Sequence, residues 1–132
     1  MRMTEERLKK IHKNNSRMEY LADKYKEKRY HAMSAEINMS GMPSGSGGED
    51  NTMGDIDEAV DIETEYRVLF YENELLIKEA KRYIAQFPDP ILRMILELKY
   101  INGMDEWDVS LETGVRYKTV ISILRTHWNN VF

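Results

Sequence analysis

At 132 residues, with 42% hydrophobic and 32% charged side chains, the chain carries enough apolar material for one ordinary domain, or a small domain with an extension. Nineteen Lys/Arg against 23 Asp/Glu leave a net charge of −4, which excludes a globally basic nucleic-acid coater and leaves such binding to a local patch. The absence of cysteine removes disulfides, thiolate metal sites, thiol nucleophiles and CxxC redox chemistry together, and it fits a reducing compartment.

The longest apolar run, Val68-Leu69-Phe70-Tyr71, is far below the ~20 residues that a membrane span needs. The start, Met1-Arg2-Met3-Thr4-Glu5-Glu6, runs straight into charge, with no secretory apolar core. A soluble, cytoplasmic protein with no membrane partner is expected. The net charge hides a segregation. Residues 1–31 hold ten bases and five acids, residues 36–75 one base (Arg67) and eleven acids, and residues 76–132 eight bases and seven acids. Such a split suggests a basic segment lying against an acidic one, or two surfaces with different partners.

The first predicted element is a basic helix over residues 1–38. Leu8, Ile11, Met18, Leu21, Ala22, Tyr25, Ala32, Met33 and Ile37 recur at spacings of three and four, and no proline or glycine interrupts residues 4–38. Residues 39–54 read as a flexible loop. Ser40-Gly41-Met42-Pro43-Ser44-Gly45-Ser46-Gly47-Gly48 contains four glycines, a proline and three serines. It is no phosphate loop, because Glu49-Asp50 follows Gly48 where Lys-Ser/Thr would have to stand. Met33, Met39, Met42 and Met53 flank this loop, either as filler or as an adaptable partner site.

The second predicted element is a long acidic helix over 55–87. Its stripe is Ile56, Ala59, Val60, Ile62, Tyr66, Leu69, Phe70, Leu76, Ile77, Ala80, Tyr83, Ile84 and Phe87. Asp55, Asp57, Glu58 and Asp61 crowd its start, where the helix dipole favours carboxylates. Thirty residues rise ~45 Å, longer than a small C-terminal unit can cover, so the stripe needs a further partner. The opposite charge of the two arms favours an antiparallel hairpin with the first helix. The same stripes would also serve a coiled coil between two chains, so a homodimer stays open. Asn15 and Asn73 interrupt the stripes; they either face each other and fix register, or lie at the edge in water.

Residues 88–132 form the third part. Phe87-Pro88-Asp89-Pro90 stops the long helix and starts the next, with Asp89 as N-cap and Pro90 at the first helical position. Ile91, Leu92, Ile95, Leu98 and Ile101 are its expected buried face, and Gly103 its left-handed C-terminal cap. Asp105 caps a short helix that ends at Gly114, and the last helix runs from about Tyr117 with Val120, Leu124 and Trp128 inward. Helix, short helix, glycine turn and helix make a helix-turn-helix: Gly114 takes the left-handed corner, Val115 plugs it, and Val109 packs with Val120 across it.

The run Leu98-Lys99-Tyr100-Ile101-Asn102-Gly103-Met104-Asp105-Glu106-Trp107-Asp108-Val109-Ser110, with Gly114-Val115 and Thr119-Val120, resembles the region-four helix-turn-helix of bacterial sigma factors. The layout as a whole is similar to small phage and prophage regulators of the ArpU and RinA kind. Glu112 and Thr113 stand where that family is usually apolar, Leu111 where it is often polar, and Arg116 where it places a serine cap. The resemblance implies an all-α transcription regulator in the cytoplasm of a bacterial host, binding double-stranded promoter DNA through its last helix and contacting RNA polymerase. Its DNA-facing residues would be Arg116, Tyr117, Lys118, Ile121, Ser122 and Arg125. In those roles Arg125 would read guanine, Ser122 a base edge and Ile121 a thymine methyl, while Arg116 and Lys118 hold phosphates. Ile123 is a further apolar residue on this helix.

The other motifs point elsewhere or nowhere. Arg7, Lys9, Lys10, Lys13 and Arg17 could serve as DNA-phosphate contacts, but a solvated face or pairing with the acidic helix is the favoured expectation. His12, His31 and His127 have no metal-ligand spacing, so no metal or cofactor is expected. Trp107 and Trp128 are read as covers for the small core. No nucleophile, phosphate loop or ligand pair assembles a reaction class, so no enzyme is expected. Two rivals to the DNA-binding reading stay open: a module that binds polymerase or another regulator without touching DNA, and a small-terminase-like phage packaging adaptor.

Overall fold

The structure is a computed structural model; it describes the backbone of residues 2–39 and 49–130, and the side chains of 2–31 and 56–130. The Gly/Ser segment 40–48, the side chains of the four flanking methionines, and the last two residues lie outside the described residues. The fold is all-α, as expected. Its helices are α1 (Glu5–Met39), α2 (Glu49–Ala85), α3 (Pro90–Leu96), α4 (Glu106–Thr113) and α5 (Tyr117–Asn130), with a π-helical turn, Glu97–Ile101, continuing α3. The long acidic helix begins at Glu49 rather than at residue 55, so six residues assigned to the loop are helical. None of those six is proline, and the helix absorbs the single Gly54.

The chain divides into two compact units, Met1–Asn14 with Asn73–Phe132, and Asn15–Glu72. The expected boundary at residue 88 is therefore not where the packing divides. In the first unit the start of α1 and the end of α2 join α3, α4 and α5 in one core. Leu8, Ile11, Leu76, Ala80, Ile95, Leu96, Val109 and Val120 are buried there, with Tyr100, Leu124 and Trp128 closing its edge. The α1 and α2 segments run antiparallel in it, as Arg7 against Glu79 (2.7 Å) and Asn14 against Asn73 (3.0 Å) record.

That asparagine pair corrects the expected one. Asn14, three residues after Ile11 and four before Met18, holds the buried phase of α1, whereas Asn15 is exposed. Asn14 Nδ2 donates to Asn73 Oδ1, and Asn73 Nδ2 donates to the Ile11 carbonyl at 3.1 Å. Both side chains are buried, so the polar contact specifies register inside an apolar seam.

In the second unit, Met18 and Leu21 on α1 and Ala59 on α2 are buried, and the two segments are again antiparallel: Arg17 pairs with Glu65 (3.1 Å) and Lys28 with Glu58 (2.8 Å). Basic α1 against acidic α2 is thus realised within one chain. The sequence stripe of α2 is only partly inward. Val60, Tyr66 and Phe70 are exposed, because an alternating seam with a single partner helix covers one narrow face and not the whole apolar arc.

Local signals at the C-terminal end hold closely. Asp89 Oδ1 accepts from Ile91 N–H (2.9 Å), Asp105 Oδ1 from Asp108 N–H (2.8 Å), and Gly103 and Gly114 have φ of 74° and 75°. The buried face of α3 differs from the expected one. Ile95, Leu96 and Tyr100 are buried, Leu92, Leu98 and Ile101 only partly, and Ile91 is exposed. From residue 97 on, the π turn, in which Asn102 N–H reaches back five residues to the Glu97 carbonyl (3.1 Å), shifts the helical phase and brings Tyr100 inward in place of Leu98 and Ile101.

Candidate nucleic-acid interface

The corner between α4 and α5 is built from four consecutive residues. Thr113 Oγ1 donates to the Val109 carbonyl (2.8 Å) and accepts from Val115 N–H (3.2 Å), which ends α4 and starts the turn. Gly114 takes the left-handed conformation, and its N–H closes onto the Ser110 carbonyl at 2.9 Å. Val115 packs on the core edge, with its carbonyl held by the Ser110 hydroxyl. Arg116 then offers its carbonyl to Val120 N–H (2.9 Å), the first turn of α5. Thr113, polar where the resembled family is apolar, is what ties the corner together.

The inner face of α5 is Val120, Leu124 and Trp128, buried to 0%, 6% and 6% exposure. Val109 is buried in the same core, as the helix-turn-helix grammar requires. The far end of α5 is fastened by a chain of hydrogen bonds. Trp128 Nε1 donates to the Tyr100 hydroxyl (2.9 Å), which donates to Glu5 Oε2 (3.0 Å). Burial, with the Glu5 carboxylate beside it, pushes the Tyr100 phenol well above its ordinary range, so it stays a donor. Tyr83 stacks parallel to Trp128 with 6.0 Å between centroids, and its hydroxyl meets His127 Nε2 at 2.7 Å. Burial holds His127 below the usual histidine range and so favours the neutral ring.

With that face fixed, the rest of α5 must look outward. Arg116, Tyr117, Lys118, Ser122 and Arg125 are all exposed, as expected; Ile121 is half-buried and Ile123 packs on the core edge. Ile121 is therefore a shoulder of the candidate surface, not its centre, because its position adjoins Val120 and Leu124. Lys118, Ser122 and Arg125 share one stripe, opposite Val120 and Leu124, and residues 113–132 contain no acid. Asn129, exposed one turn beyond Arg125, extends the stripe. The signal for Asn129 was in the sequence, in its spacing of four from Arg125.

Next to this stripe lies a surface that was not expected. Trp107 is 58% exposed and does not cover the core; its ring meets the Tyr117 ring edge-on at 5.7 Å. Leu111, one turn along α4, is 68% exposed. Both follow from Val109: residues two before and two after a buried helical position point away from it. Glu106, on the other side of α4, is bound by Lys99 Nζ at 2.7 Å, and that hydrogen bond holds its carboxyl below the usual range.

Among the described residues no helix is long and apolar enough to cross a membrane. Compared with known protein families, curated proteins and solved structures, the chain matches none.

Proposed function

We propose that this protein is a DNA-binding transcription regulator of the phage or prophage type, acting in the cytoplasm of a bacterial host. The observation that carries the reading is the outward stripe of Lys118, Ser122 and Arg125 on an acid-free helix whose opposite face is locked into the core. A helix so mounted enters a major groove with its N-terminal turns foremost. Arg125 is long enough for bidentate reading of guanine, Ser122 reaches a base edge, and Arg116 and Lys118 neutralise flanking phosphates. Tyr117, edge-on to Trp107, supports a sugar-phosphate contact at the rim.

The test is a salt titration of duplex binding. Two phosphate contacts, through Arg116 and Lys118, give a log–log slope of about −1.8 per bound chain, and each lost contact reduces it by ~0.9. Affinity independent of salt, with no sequence preference, refutes the proposal.

Trp107 and Leu111 favour a second contact, with protein. Two large apolar side chains exposed on α4, bordered by Asp108 and Glu112, suit a basic, partly apolar partner surface such as a subunit of RNA polymerase. On this reading Leu111→Ser weakens polymerase recruitment and leaves duplex affinity unchanged. If Leu111→Ser abolishes duplex binding instead, α4 belongs to the DNA contact.

A further inference from the structure

Where α2 ends beside the last turn of α5, the first unit is hollowed by a cavity of about 780 Å³. Small-molecule sites span roughly 300–1,000 Å³, so the hollow is large enough for a ligand. Its lining combines charge, rings and amides: Arg2, Arg82, Tyr83, Gln86, Phe87 and Asn130. The half-buried Tyr83 and Phe87 rings meet edge to face, with 5.0 Å between centroids and 80° between planes, and form a corner of aromatic wall. Such a corner suits a planar ring, which stacks on one side chain and meets the other at its edge. The Tyr83 hydroxyl is already engaged by His127, so Tyr83 offers ring surface rather than a donor.

The charge of the lining selects the ligand further. One acid, Glu79, reaches the cavity, and its carboxylate is bound by Arg7 at 2.7 Å. Arg82, which is exposed, makes no ion pair or hydrogen bond among the described residues. Arg2 brings a second guanidinium, close enough to Tyr83 for its charge to act on the phenol. The exposed Gln86 and Asn130 add amide donors and acceptors at the rim. We propose that this cavity binds a small anionic ring compound, with the ring against Tyr83 and Phe87 and its carboxylate, sulfonate or phosphate on Arg82. The planar guanidinium fits all three anions, because each presents two oxygens to its paired donors. The site stands apart from the proposed DNA contact. Its wall is nevertheless the Tyr83 ring that stacks on Trp128, so the ligand lies against the fastening of α5.

Anilinonaphthalene sulfonate, an anion on planar rings, is the probe, and phenylnaphthylamine, the same rings without the sulfonate, is its control. The full chain is expected to bind the sulfonate dye saturably, one dye per chain, by fluorescence titration. Arg82→Gln is expected to weaken the sulfonate dye ~10-fold, as loss of a charge-assisted hydrogen bond does, and to leave the neutral dye unchanged. Gln86→Trp, which fills the cavity from an exposed position, is expected to abolish binding of both dyes with unchanged helical circular dichroism. Benzoate or phenyl phosphate displaces the sulfonate dye, and the better competitor distinguishes a carboxylate ligand from a phosphate one. Absence of saturable binding, or displacement by neither competitor, overturns the inference. Binding indifferent to Gln86→Trp puts the dye on another surface and overturns it as well. A sulfonate dye indifferent to Arg82→Gln, or an equal loss for both dyes, overturns the anionic class of the ligand.

Discussion

Asn73→Ala tests the buried polar contact that sets the register of α1 on α2. Asn73 is 3% exposed; its side chain accepts from Asn14 Nδ2 and donates to the Ile11 carbonyl. Truncation leaves the Asn14 amide, 7% exposed, without its acceptor, at a cost of ~1–3 kcal/mol for an unsatisfied buried donor. The small cavity adds about 1 kcal/mol, for a total of ~2–4 kcal/mol. At ~3–5 °C per kcal/mol for a chain of this size, Tm falls by ~10 °C. Asn14→Ala carries a similar unsatisfied-group cost on the other side. Because both costs arise from one contact, the double alanine variant costs ~1–2 kcal/mol less than the sum of the singles. Replacing both by leucine removes the polar groups altogether and is close to neutral, at the expense of register. Urea unfolding followed by helical circular dichroism measures all four variants. Strict additivity of the two alanine substitutions refutes the reasoning.

Three further outcomes follow from the same geometry. Leu96→Ala, at a fully buried position, destabilises by ~2–5 kcal/mol, whereas Leu98→Ala, half-buried within the π turn, costs about 1–2 kcal/mol; equal losses in chemical denaturation contradict this difference in burial. Gly114→Ala costs ~1–2 kcal/mol from its φ of 75° alone, since no atom lies within 4 Å of an added Cβ; a larger loss in thermal melting means a clash the geometry lacks. His127, with its folded pKa below the unfolded value of about 6.5, contributes stability that is present above that pH and is lost as pH falls through the folded pKa. Urea midpoints at pH 7.5 and 5 therefore differ more in the wild type than in His127→Gln, and equal differences contradict the assignment.

What was legible in the sequence was local. Asp89, Asp105, Gly103 and Gly114 act through bonds within a few residues of themselves, so composition and spacing were enough to place the ends of α3 and α4. The outward face of α5 was legible for a related reason: Val120, Leu124 and Trp128 fix its phase over little more than two turns. Where phase had to be carried further, or past an irregularity, it was lost. Asn14 and Asn15 are adjacent, and only the register against α2 distinguishes them. The π turn at Glu97–Ile101 brings Tyr100 into the core in place of Leu98, and no proline or glycine within it announces the change. Trp107 misled because its size suggests burial, while its position relative to Val109 decides exposure. The exposed apolar positions of α2 were not legible because Val60 fits the spacing of the inward stripe, while Val68, Tyr71 and Leu75 fall outside it.

On the proposed function, the outward stripe of α5 is the surface that reads DNA. Selection from a random duplex library, followed by titration of the selected site, tests it most directly. Arg125→Ala is expected to cost ~1–3 kcal/mol on the selected site and to relax base choice at one position, whereas Lys118→Ala weakens every duplex about equally and flattens the salt slope by ~0.9. Equal affinity of the wild type and the Arg116/Lys118/Arg125 triple alanine variant for all duplexes would contradict it.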